Sequence, residues 1–344
     1  MSKEKFGWGI LGPGRIGKDF AESIELLDDA YVAASGSRSL ARSKEFCDRF
    51  GGTPYGSYEE MVKDPDVDIV YVATPHPMHE EHVILAAEAG KDILCEKPFA
   101  VNKKQAENMF AAAKANNVFL MEGLWSRFFP AWRYVKELIT SGELGAVTGV
   151  YASTGWGCPP GWLKDDNRLL DPNLAGGALL DGGVYSLASM TVATGKIEKP
   201  KKVEGTIRFS HTGVDAETNM MIQFEDGLTA MLLCGLYRRE FFTNIALERG
   251  NIIIPRHRNP TTVQIERISN PESEIIPFRR ATDKIEKSFP YEREGFQFEA
   301  AVVQDCIRKG LKICPEVPPE ETLMLAEICD KIRADNGFVY PFEK

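Results

Sequence analysis

The chain begins with an apolar run that leads directly into a glycine-rich turn. Phe6 to Leu11 has the composition of a buried parallel strand, and Gly12 to Gly17 follows with the sequence GPGRIG. A G-x-G-x-x-G spacing between a strand and a helix is typical of dinucleotide binding: Gly12 makes the tight turn, Gly14 lets backbone N–H groups approach the phosphates, and Gly17 permits close helix packing. We predict that the turn holds a pyrophosphate at the helix N-terminus.

Strand and helix patterns alternate from this turn to about residue 124. Apolar strand patterns cover 31–35, 69–73, 92–96 and 118–122, and helical patterns cover 39–50, 80–89 and 103–116. This alternation predicts a doubly wound parallel sheet, whose ligands bind beyond the carboxyl ends of the strands. The residues predicted to contact the cofactor there are Gly12, Gly14, Arg15, Ile16, Gly17, Ser37, Arg38, Arg42, Thr74, Pro75, His79, Glu96 and Lys97.

The end of the second strand carries basic rather than acidic residues. About 20 residues after the turn, where an NAD site places Asp or Glu on the ribose 2′-hydroxyl, the chain has Ser37-Arg38-Ser39 and then Arg42. A 2′-phosphate requires donors and positive charge, and an acidic side chain would repel it. The sequence favours NADP, with NAD as the alternative if these arginines are only solvated surface residues.

A second domain is predicted to begin at residue 125, which gives domains 1–124 and 125–344. Strand patterns near 203–209, 218–225, 228–236 and 242–249, with a hairpin signal at Asp226-Gly227, predict an open, mainly antiparallel sheet in an α+β domain. Two of these strands are apolar at nearly every position, so we expect both sheet faces to be covered, one of them by a second subunit. The region 256–289 is left unassigned, and helices are expected over 291–309 and 320–336.

Composition excludes several classes of protein. The net charge of -9 argues against a nucleic-acid partner, and the seven cysteines are scattered, without a C-x-x-C pair. Residues 1–5 lead straight into the first strand, and the least charged long segment, 176–195, contains Asp181, so we expect neither a signal peptide nor a membrane span. A globular protein of the reducing cytoplasm fits best.

Lys97 is the first candidate for chemistry. It follows the strand 92–96 between Glu96 and Pro98, where a nicotinamide would lie, and its ammonium could polarise a reacting oxygen. Pro98 keeps Lys97 out of helical geometry. The alternative is an ordinary solvated lysine at a strand end.

Asp181 and Tyr185 are the second candidates, in the small-residue stretch GGALLDGGVYSL. They stand four apart, which on a helix places both side chains on one face. A tyrosine with an ordinary pKa of about 10 needs a nearby cation, such as Lys97, to act as an acid/base at neutral pH. The alternative is a core tyrosine capped by Asp181.

Histidines and aromatics form two further groups. His76, His79 and His82 are three apart, but prolines bracket the first and no ligand set completes a zinc site, so no metal is predicted. We interpret the second group as an aromatic wall that stacks against a sugar or arene. The alternative, for at least half of its members, is ordinary packing in the core. The aromatic members are Trp125, Phe128, Trp132, Trp156 and Trp162, with Arg127 and Arg168 as polar companions. The predicted substrate-binding residues are Trp125, Arg127, Phe128, Trp156, Trp162, Arg168 and Tyr185.

Four stretches together resemble one protein family. GPGRIG, ATPHPMHEEHVILAAEAGKDILCEKPF and GGALLDGGVYSL look like the glucose-fructose oxidoreductase and inositol dehydrogenase (Gfo/Idh/MocA) family. MEGLWSRFFP, with Tyr185 where most members have histidine, is similar to the branch of dimeric dihydrodiol dehydrogenases and NADP-dependent D-xylose 1-dehydrogenases. The resemblance is specific over residues 6–195. The tyrosine makes inositol dehydrogenase activity unexpected.

The resemblance implies roles for individual residues. Lys97, often before a cis bond to Pro98, would be catalytic together with Asp181 and Tyr185, with the tyrosine as acid/base. It also implies that the outer sheet face forms the subunit interface of a homodimer or larger homo-oligomer. We therefore predict an NADP-dependent oxidoreductase that moves hydride between nicotinamide and a hydroxyl-bearing carbon of a sugar or cyclic diol. A non-catalytic NADP(H)-binding sensor or regulatory subunit is the alternative, and a tetrapyrrole reductase a more remote one.

Overall fold

The computed structural model describes residues 4–159, 161–268 and 282–344. The chain divides into two compact units, Met1–Trp125 with Glu292–Glu327, and Ser126–Tyr291 with Ile328–Lys344.

The described residues of the first unit form a six-stranded parallel sheet of order β3-β2-β1-β4-β5-β6. This is the predicted doubly wound sheet, and it confirms the α/β Rossmann fold. Its strands are β1 Phe6–Leu11, β2 Ala30–Gly36, β3 Thr53–Tyr55, β4 Ile69–Val72, β5 Asp92–Glu96 and β6 Leu120–Gly123. The helices between them are α1 Arg15–Ile24, α2 Leu40–Phe50, α3 Tyr58–Met61, α4 His79–Glu88 and α5 Lys103–Ala115. The short elements β3 and α3 were not predicted.

The first strand and helix pack through large buried side chains. Every residue of β1 is buried, and the ring of Phe20 in α1 stacks on Tyr71 of β4 at 3.8 Å between centroids. Ile16, which helical spacing assigns to the same apolar face as Phe20, is 39% exposed. The buried face of α1 instead runs through Gly17, Phe20, Ala21 and Ile24, because it is the glycine that faces the strand.

The segment Glu292–Glu327 belongs to the first unit, although the predicted boundary placed it in the second. Its helix α8 spans Gln297–Arg308, six residues later than the start of the predicted helix, and α9 begins at Pro319 and ends at Asp335. Phe296 stacks on Trp125 at 4.6 Å, and the Thr322 hydroxyl donates to Glu122 of β6 at 2.8 Å. Such long-range contacts leave no local trace in the sequence.

The described part of the second unit contains a mixed eight-stranded sheet of order β14-β13-β12-β11-β7-β10-β9-β8. The strands are β7 Val147–Gly155, β8 Lys202–Phe209, β9 Asp215–Gln223, β10 Thr229–Gly235, β11 Phe241–Leu247, β12 Gly250–Ile254, β13 Thr262–Ile268 and β14 Thr282–Ser288. Only β7 and β10 pair in parallel among these strands, which confirms the mainly antiparallel prediction. Strands β12 to β14 were missed, and residues 269–281 of the unassigned region lie outside the described residues.

Helical segments of the second unit accompany this sheet. Helix α6 spans Pro130–Thr140, and a π-helical turn at Leu179–Gly183 continues into α7 at Val184–Thr194. The sequence predicts a small-residue helix over 176–194 that is interrupted at Gly182-Gly183, and the structure has this π turn there instead of a break. A Cβ on Gly182 would lie 3.3 Å from Thr154 Cγ2, and one on Gly183 would lie 3.1 Å from Cys234 Sγ. The glycines let the turn approach β7 and β10 closely.

The sheet has one buried and one partly exposed face, so the expectation that both faces are covered does not hold for the single chain. Ile222 and Leu232 are fully buried, whereas Tyr151 and Met231 are 45% and 48% exposed. The last two are paired neighbours on β7 and β10.

Candidate active site

The glycine turn after β1 has the predicted geometry. Gly12 adopts φ +97°, and a Cβ there would lie 3.0 Å from the Ala73 carbonyl oxygen; one on Gly17 would lie 2.8 Å from the Gly12 carbonyl oxygen. Gly14 is the extended N-cap of α1, and within the described residues nothing lies inside 4 Å of its Cβ position. Neighbouring atoms thus leave no room for a side chain at Gly12 or Gly17. At Gly14, by contrast, the space in front of the helix N-terminus is open.

A cleft of about 490 Å³ lies beside this turn. It is lined by Pro13, Gly14, Arg15, Lys18, Asp19, Glu22, Arg42, Glu45 and Arg49. Three of its cations face carboxylates: Lys18 pairs with Glu45 at 3.1 Å, Arg15 with Asp19 at 3.7 Å, and Arg49 with Glu22. The Arg42 side chain makes no hydrogen bond or ion pair with any residue that the structure describes, and its backbone N–H donates to the Ser39 carbonyl oxygen at 3.0 Å.

The end of β2 offers hydroxyl and guanidinium groups. Ser37 is buried, and its hydroxyl oxygen accepts the Ser39 backbone N–H at 3.2 Å, while Arg38 and Arg42 are exposed. Ser39 is the N-cap residue of α2, as predicted, but makes no side-chain capping bond. The positive charge of the two arginines is therefore available at the strand end.

The loop that carries Lys97 is fixed by buried polar side chains on both sides. Tyr71 of β4 donates its hydroxyl to one Glu96 oxygen, and the other accepts the Lys97 backbone N–H at 3.1 Å. After the cis Lys97–Pro98 bond, the Phe99 N–H donates to Glu122 at 3.2 Å. Lys97 itself is half-buried. Its backbone position is thus set by the strands on either side of β5.

His79 links this loop to the end of β4. Its ring is fully buried, with Nε2 at 2.8 Å from the Thr74 carbonyl oxygen and Nδ1 at 2.9 Å from the Pro98 carbonyl oxygen. Burial lowers the pKa of His79, and burial likewise lowers the pKa of His82, which bonds to the Thr74 hydroxyl, to about 4. The bond between His79 and Thr74 joins two predicted cofactor residues, and the bond to Pro98 connects them to the loop that carries Lys97.

A second buried acid accompanies Glu96. Glu299 of α8 is fully buried, and burial first, and the nearby Glu96 second, raise the pKa of its carboxyl well above the usual range. Both causes favour the neutral form of the Glu299 carboxyl, because burial and a neighbouring carboxylate disfavour a second negative charge.

In the second unit, Asp181 and Tyr185 lie on the π turn and on α7. Both are almost completely buried, at 1% and 3% exposure. The Arg168 guanidinium donates to Asp181 at 3.0 Å, and Arg168 itself is exposed. Arg168, named at first only as a substrate-binding companion, is thus the ionic partner of this predicted catalytic carboxylate.

The predicted aromatic group occupies several different environments. Trp125 stacks on Phe296 in the first unit, Phe128 is fully buried, and Trp132 donates its indole N–H to the His257 carbonyl oxygen at 2.8 Å. Trp156 is half-buried against Phe241 with Arg258 over its ring, and Trp162 is 78% exposed. Arg127 donates to Thr191 at 3.2 Å. Core packing therefore accounts for Trp132, and Trp156 and Trp162 have the most accessible rings.

Sequence reasoning missed the residues that support the site. Tyr71 lies in β4, Glu122 in β6 and Glu299 in α8. Nothing in the neighbouring sequence distinguishes Tyr71 or Glu299 from ordinary core or surface residues. A signal was present only for Glu122, an acid in an otherwise apolar strand.

In the ranges 4–159, 161–268 and 282–344, no group of three or more His, Cys, Asp or Glu residues is arranged to hold a metal ion. None of the helices seen there is both long and apolar enough to cross a membrane.

Comparison with known proteins agrees with this geometry. Residues 6–124 match the oxidoreductase family with an NAD-binding Rossmann fold, and residues 132–252 match the GFO/IDH/MocA C-terminal domain. Trans-1,2-dihydrobenzene-1,2-diol dehydrogenases from Mus musculus and Bos taurus are each 34% identical, covering 98% of this chain and 98% of their own.

A solved structure is similar over nearly the whole chain. It is the 3-ketoreductase KijD10 from Actinomadura kijaniata in complex with NADP and TDP-benzene, at a TM-score of 0.82 and 26% identity over 96% of this chain and 97% of that one. The glycine turn, the helix N-terminus beside it and the open Gly14 position fit a nicotinamide dinucleotide. The chain belongs to the GFO/IDH/MocA oxidoreductase family, and its activity is that of an NAD(P)-dependent dehydrogenase.

Proposed function

We propose that this dehydrogenase uses NADP to oxidise a hydroxyl-bearing carbon of a cyclic trans-diol or a sugar, with Lys97, Tyr185 and Asp181 as its catalytic residues. The observation that carries the proposal is the loop of Lys97, whose backbone is fixed by Glu96 and Glu122 at the carboxyl end of β5 in an NAD-binding fold. The diol substrate is suggested by the dihydrodiol dehydrogenases that are 34% identical to this chain.

Each proposed residue has a chemical task. Nicotinamide, when bound, accepts the hydride from the carbon that bears the hydroxyl. Tyr185 takes the hydroxyl proton as the C–O bond becomes C=O, and returns it in the reverse reaction. The Lys97 ammonium binds the same oxygen and stabilises the phenolate of Tyr185. Asp181, held by Arg168, orients the tyrosine and balances the charge of Lys97.

The preference for NADP is proposed from the end of β2. Ser37, Arg38 and Arg42 offer donors and charge without an acidic neighbour at the strand end, and a 2′-phosphate would bind the two guanidinium groups. The double variant R38A/R42A should raise the KM for NADP about tenfold or more, with the KM for NAD nearly unchanged. Arg49 lines the same cleft but is paired with Glu22, and it supplies the control variant Arg49→Ala. Equal effects on both coenzymes would overturn the preference.

The catalytic proposal is tested with a substrate panel and one isosteric variant. NADP is incubated with dihydrodiols, aldoses and polyols while the near-ultraviolet absorbance of NADPH is followed. Tyr185→Phe should lower kcat about 10² to 10⁴-fold on any substrate that reacts, while NADPH binding, measured by fluorescence, is retained. Unchanged turnover would remove the tyrosine from the mechanism. Tight NADPH binding with no turnover across the panel would favour the sensor instead.

We also propose a homodimer formed through the open sheet face. Tyr151, Met231 and Met221 are successive cross-strand neighbours on β7, β10 and β9, flanked by Asn244 of β11 and Glu204 of β8. An apolar centre with a polar rim is typical of a subunit interface. Met231→Glu should convert a dimer into a monomer in light scattering coupled to gel filtration, whereas the equally exposed Leu40→Glu in the first unit should not. A monomeric wild type would refute the interface.

A further inference from the structure

The helix that carries Asp181 and Tyr185 begins at a buried carboxylate from the sheet. Asp215, the first residue of β9, is fully buried, and its Oδ2 accepts the Leu179 backbone N–H at 2.7 Å and the Thr218 hydroxyl at 2.9 Å. The backbone of Ala178 also bonds to this carboxyl. Because the first N–H groups of a helix have no partner within it, Asp215 supplies from another element the cap that the local sequence lacks.

The residue before the helix is shaped to admit this carboxylate. Gly177 adopts φ +116°, and a Cβ there would lie 1.9 Å from Asp215 Oδ1. Its N–H donates to the Leu169 carbonyl oxygen at 2.9 Å, which ties the helix start to the segment that carries Arg168. The Gly177–Leu169 hydrogen bond therefore constrains both the start of the helix that carries Asp181 and the segment that carries Arg168, its ionic partner.

The C-terminal segment holds the same turn from another direction. Tyr340 is completely buried and donates its hydroxyl to the Gly176 carbonyl oxygen at 2.8 Å. The Arg333 guanidinium lies 5.1 Å above the Tyr340 ring and pairs with Glu343 at 2.6 Å, which anchors the tail. Tyr340 and Asp215 thus bond to consecutive parts of one turn, Gly176 to Leu179.

We propose that Asp215 and Tyr340 are positioning residues that together fix the start of the π turn and thereby place Asp181 and Tyr185 for proton transfer. The inference rests on the proposed catalytic function of those two residues. We call Asp215 and Tyr340 together the clamp. Both residues belong to the second unit, and neither side chain touches a reacting atom in this scheme.

The test uses variants that remove one bond at a time. Tyr340→Phe deletes the bond to Gly176 and keeps the ring, and Asp215→Ala deletes the cap. Both should lower kcat about tenfold or more, while the dissociation constant for NADPH stays within about twofold, because the glycine turn belongs to the first unit. Asp215→Asn keeps an oxygen for Leu179 and Thr218, and should recover at least about threefold of the loss in Asp215→Ala.

Controls come from matched hydroxyls elsewhere in the second unit. Thr194→Val removes a bond at the far end of α7, where the hydroxyl donates to the Met190 carbonyl oxygen at 2.8 Å, and Tyr291→Phe removes one to Asn259 at 3.2 Å. Both should keep wild-type kcat. If folded Tyr340→Phe and Asp215→Ala turned over as fast as these controls, the positioning role would be refuted.

Amide hydrogen exchange of residues 178–185 separates this proposal from the catalytic one. Faster exchange in Asp215→Ala and Tyr340→Phe, and not in the controls, supports the clamp even if the wild type turns over no member of the panel, in which case the catalytic proposal alone fails. Wild-type turnover with unchanged exchange and unchanged kcat in both variants refutes the clamp alone.

Discussion

The two regions that carry Lys97 and Tyr185 are held in place by different means. The Lys97 loop lies between strand ends and is fixed by side-chain bonds from Tyr71, Glu122 and His79. Tyr185 lies on a helix of small residues that packs closely on a sheet and is fixed at its start by Asp215 and Tyr340. In both regions the residue proposed for chemistry is visible in the sequence, and the residues that position it come from distant parts of the chain.

The largest expected effect comes from removing one proposed catalytic group from each region. Lys97→Met and Tyr185→Phe should each lower kcat about 10² to 10⁴-fold, and the double variant should be little worse than the poorer single one, because a cation and a phenol that act on one proton fail as a unit. Steady-state kinetics on the panel substrate with the highest turnover measures kcat for the two single variants and the double variant. Multiplicative losses would show that the two residues act in separate steps.

The buried acid of the second unit should give stability an unusual pH dependence. Burial raises the pKa of Asp215 to about 7, so between pH 4 and 7 the native state binds a proton that the unfolded chain has lost. This carboxyl therefore makes the free energy of unfolding fall as pH rises through that window, by about 1.4 kcal/mol per pH unit.

In Asp215→Asn the side chain no longer titrates, so the variant lacks this pH-dependent contribution to the free energy of unfolding. The stability of the variant relative to wild type should rise by about 2 kcal/mol between pH 5 and pH 7 and level off above about pH 8, as measured by urea denaturation at each pH. Taking the difference cancels the opposite slope of His257, whose pKa burial lowers to about 3. A difference independent of pH would mean that Asp215 is ionised throughout.

A smaller effect is expected at the support of the Lys97 loop. Glu122→Ala leaves the Phe99 N–H and the Thr322 hydroxyl without an acceptor, and should cost about 2 to 3 kcal/mol in the free energy of unfolding. Thr322→Val removes only one of the two donors and should cost about 1 kcal/mol. Urea denaturation of both variants measures the ratio. Equal costs would mean that the bond to Phe99 contributes nothing to the loop.

Sequence patterns predicted what is local and missed what is long-range. The glycine turn, the strands of the first unit other than β3 and the hairpin at Asp226-Gly227 follow from periodicity and turn chemistry over a few residues. The π turn was read only as an interruption at two glycines, because the close approach to Thr154 and Cys234 that requires them involves other strands. Asp215 is an unremarkable acid at the start of a strand until the structure brings it to Leu179.

Domain boundaries show the same limit. The change in composition at residue 125 coincides with the first division between the units, but nothing local marks the return of Glu292–Glu327. That return depends on single contacts, such as the Trp125–Phe296 stack and the packing of Leu323 against the core of the first unit. Each involves residues about 170 or more positions apart in the chain, beyond the reach of any periodicity.

The smallest expected effect tests what holds the returning segment. Lys103 of α5 pairs with Glu327 of α9 at 2.6 Å, but both side chains are about a third exposed, so solvent screens the pair. Lys103→Met should change the free energy of unfolding by about 0.5 kcal/mol or less, well below Thr322→Val, whose lost bond is fully buried. Urea denaturation of both variants ranks them. The opposite order would mean that the first unit retains this segment through surface charge, and that the buried Thr322–Glu122 bond serves the Lys97 loop alone.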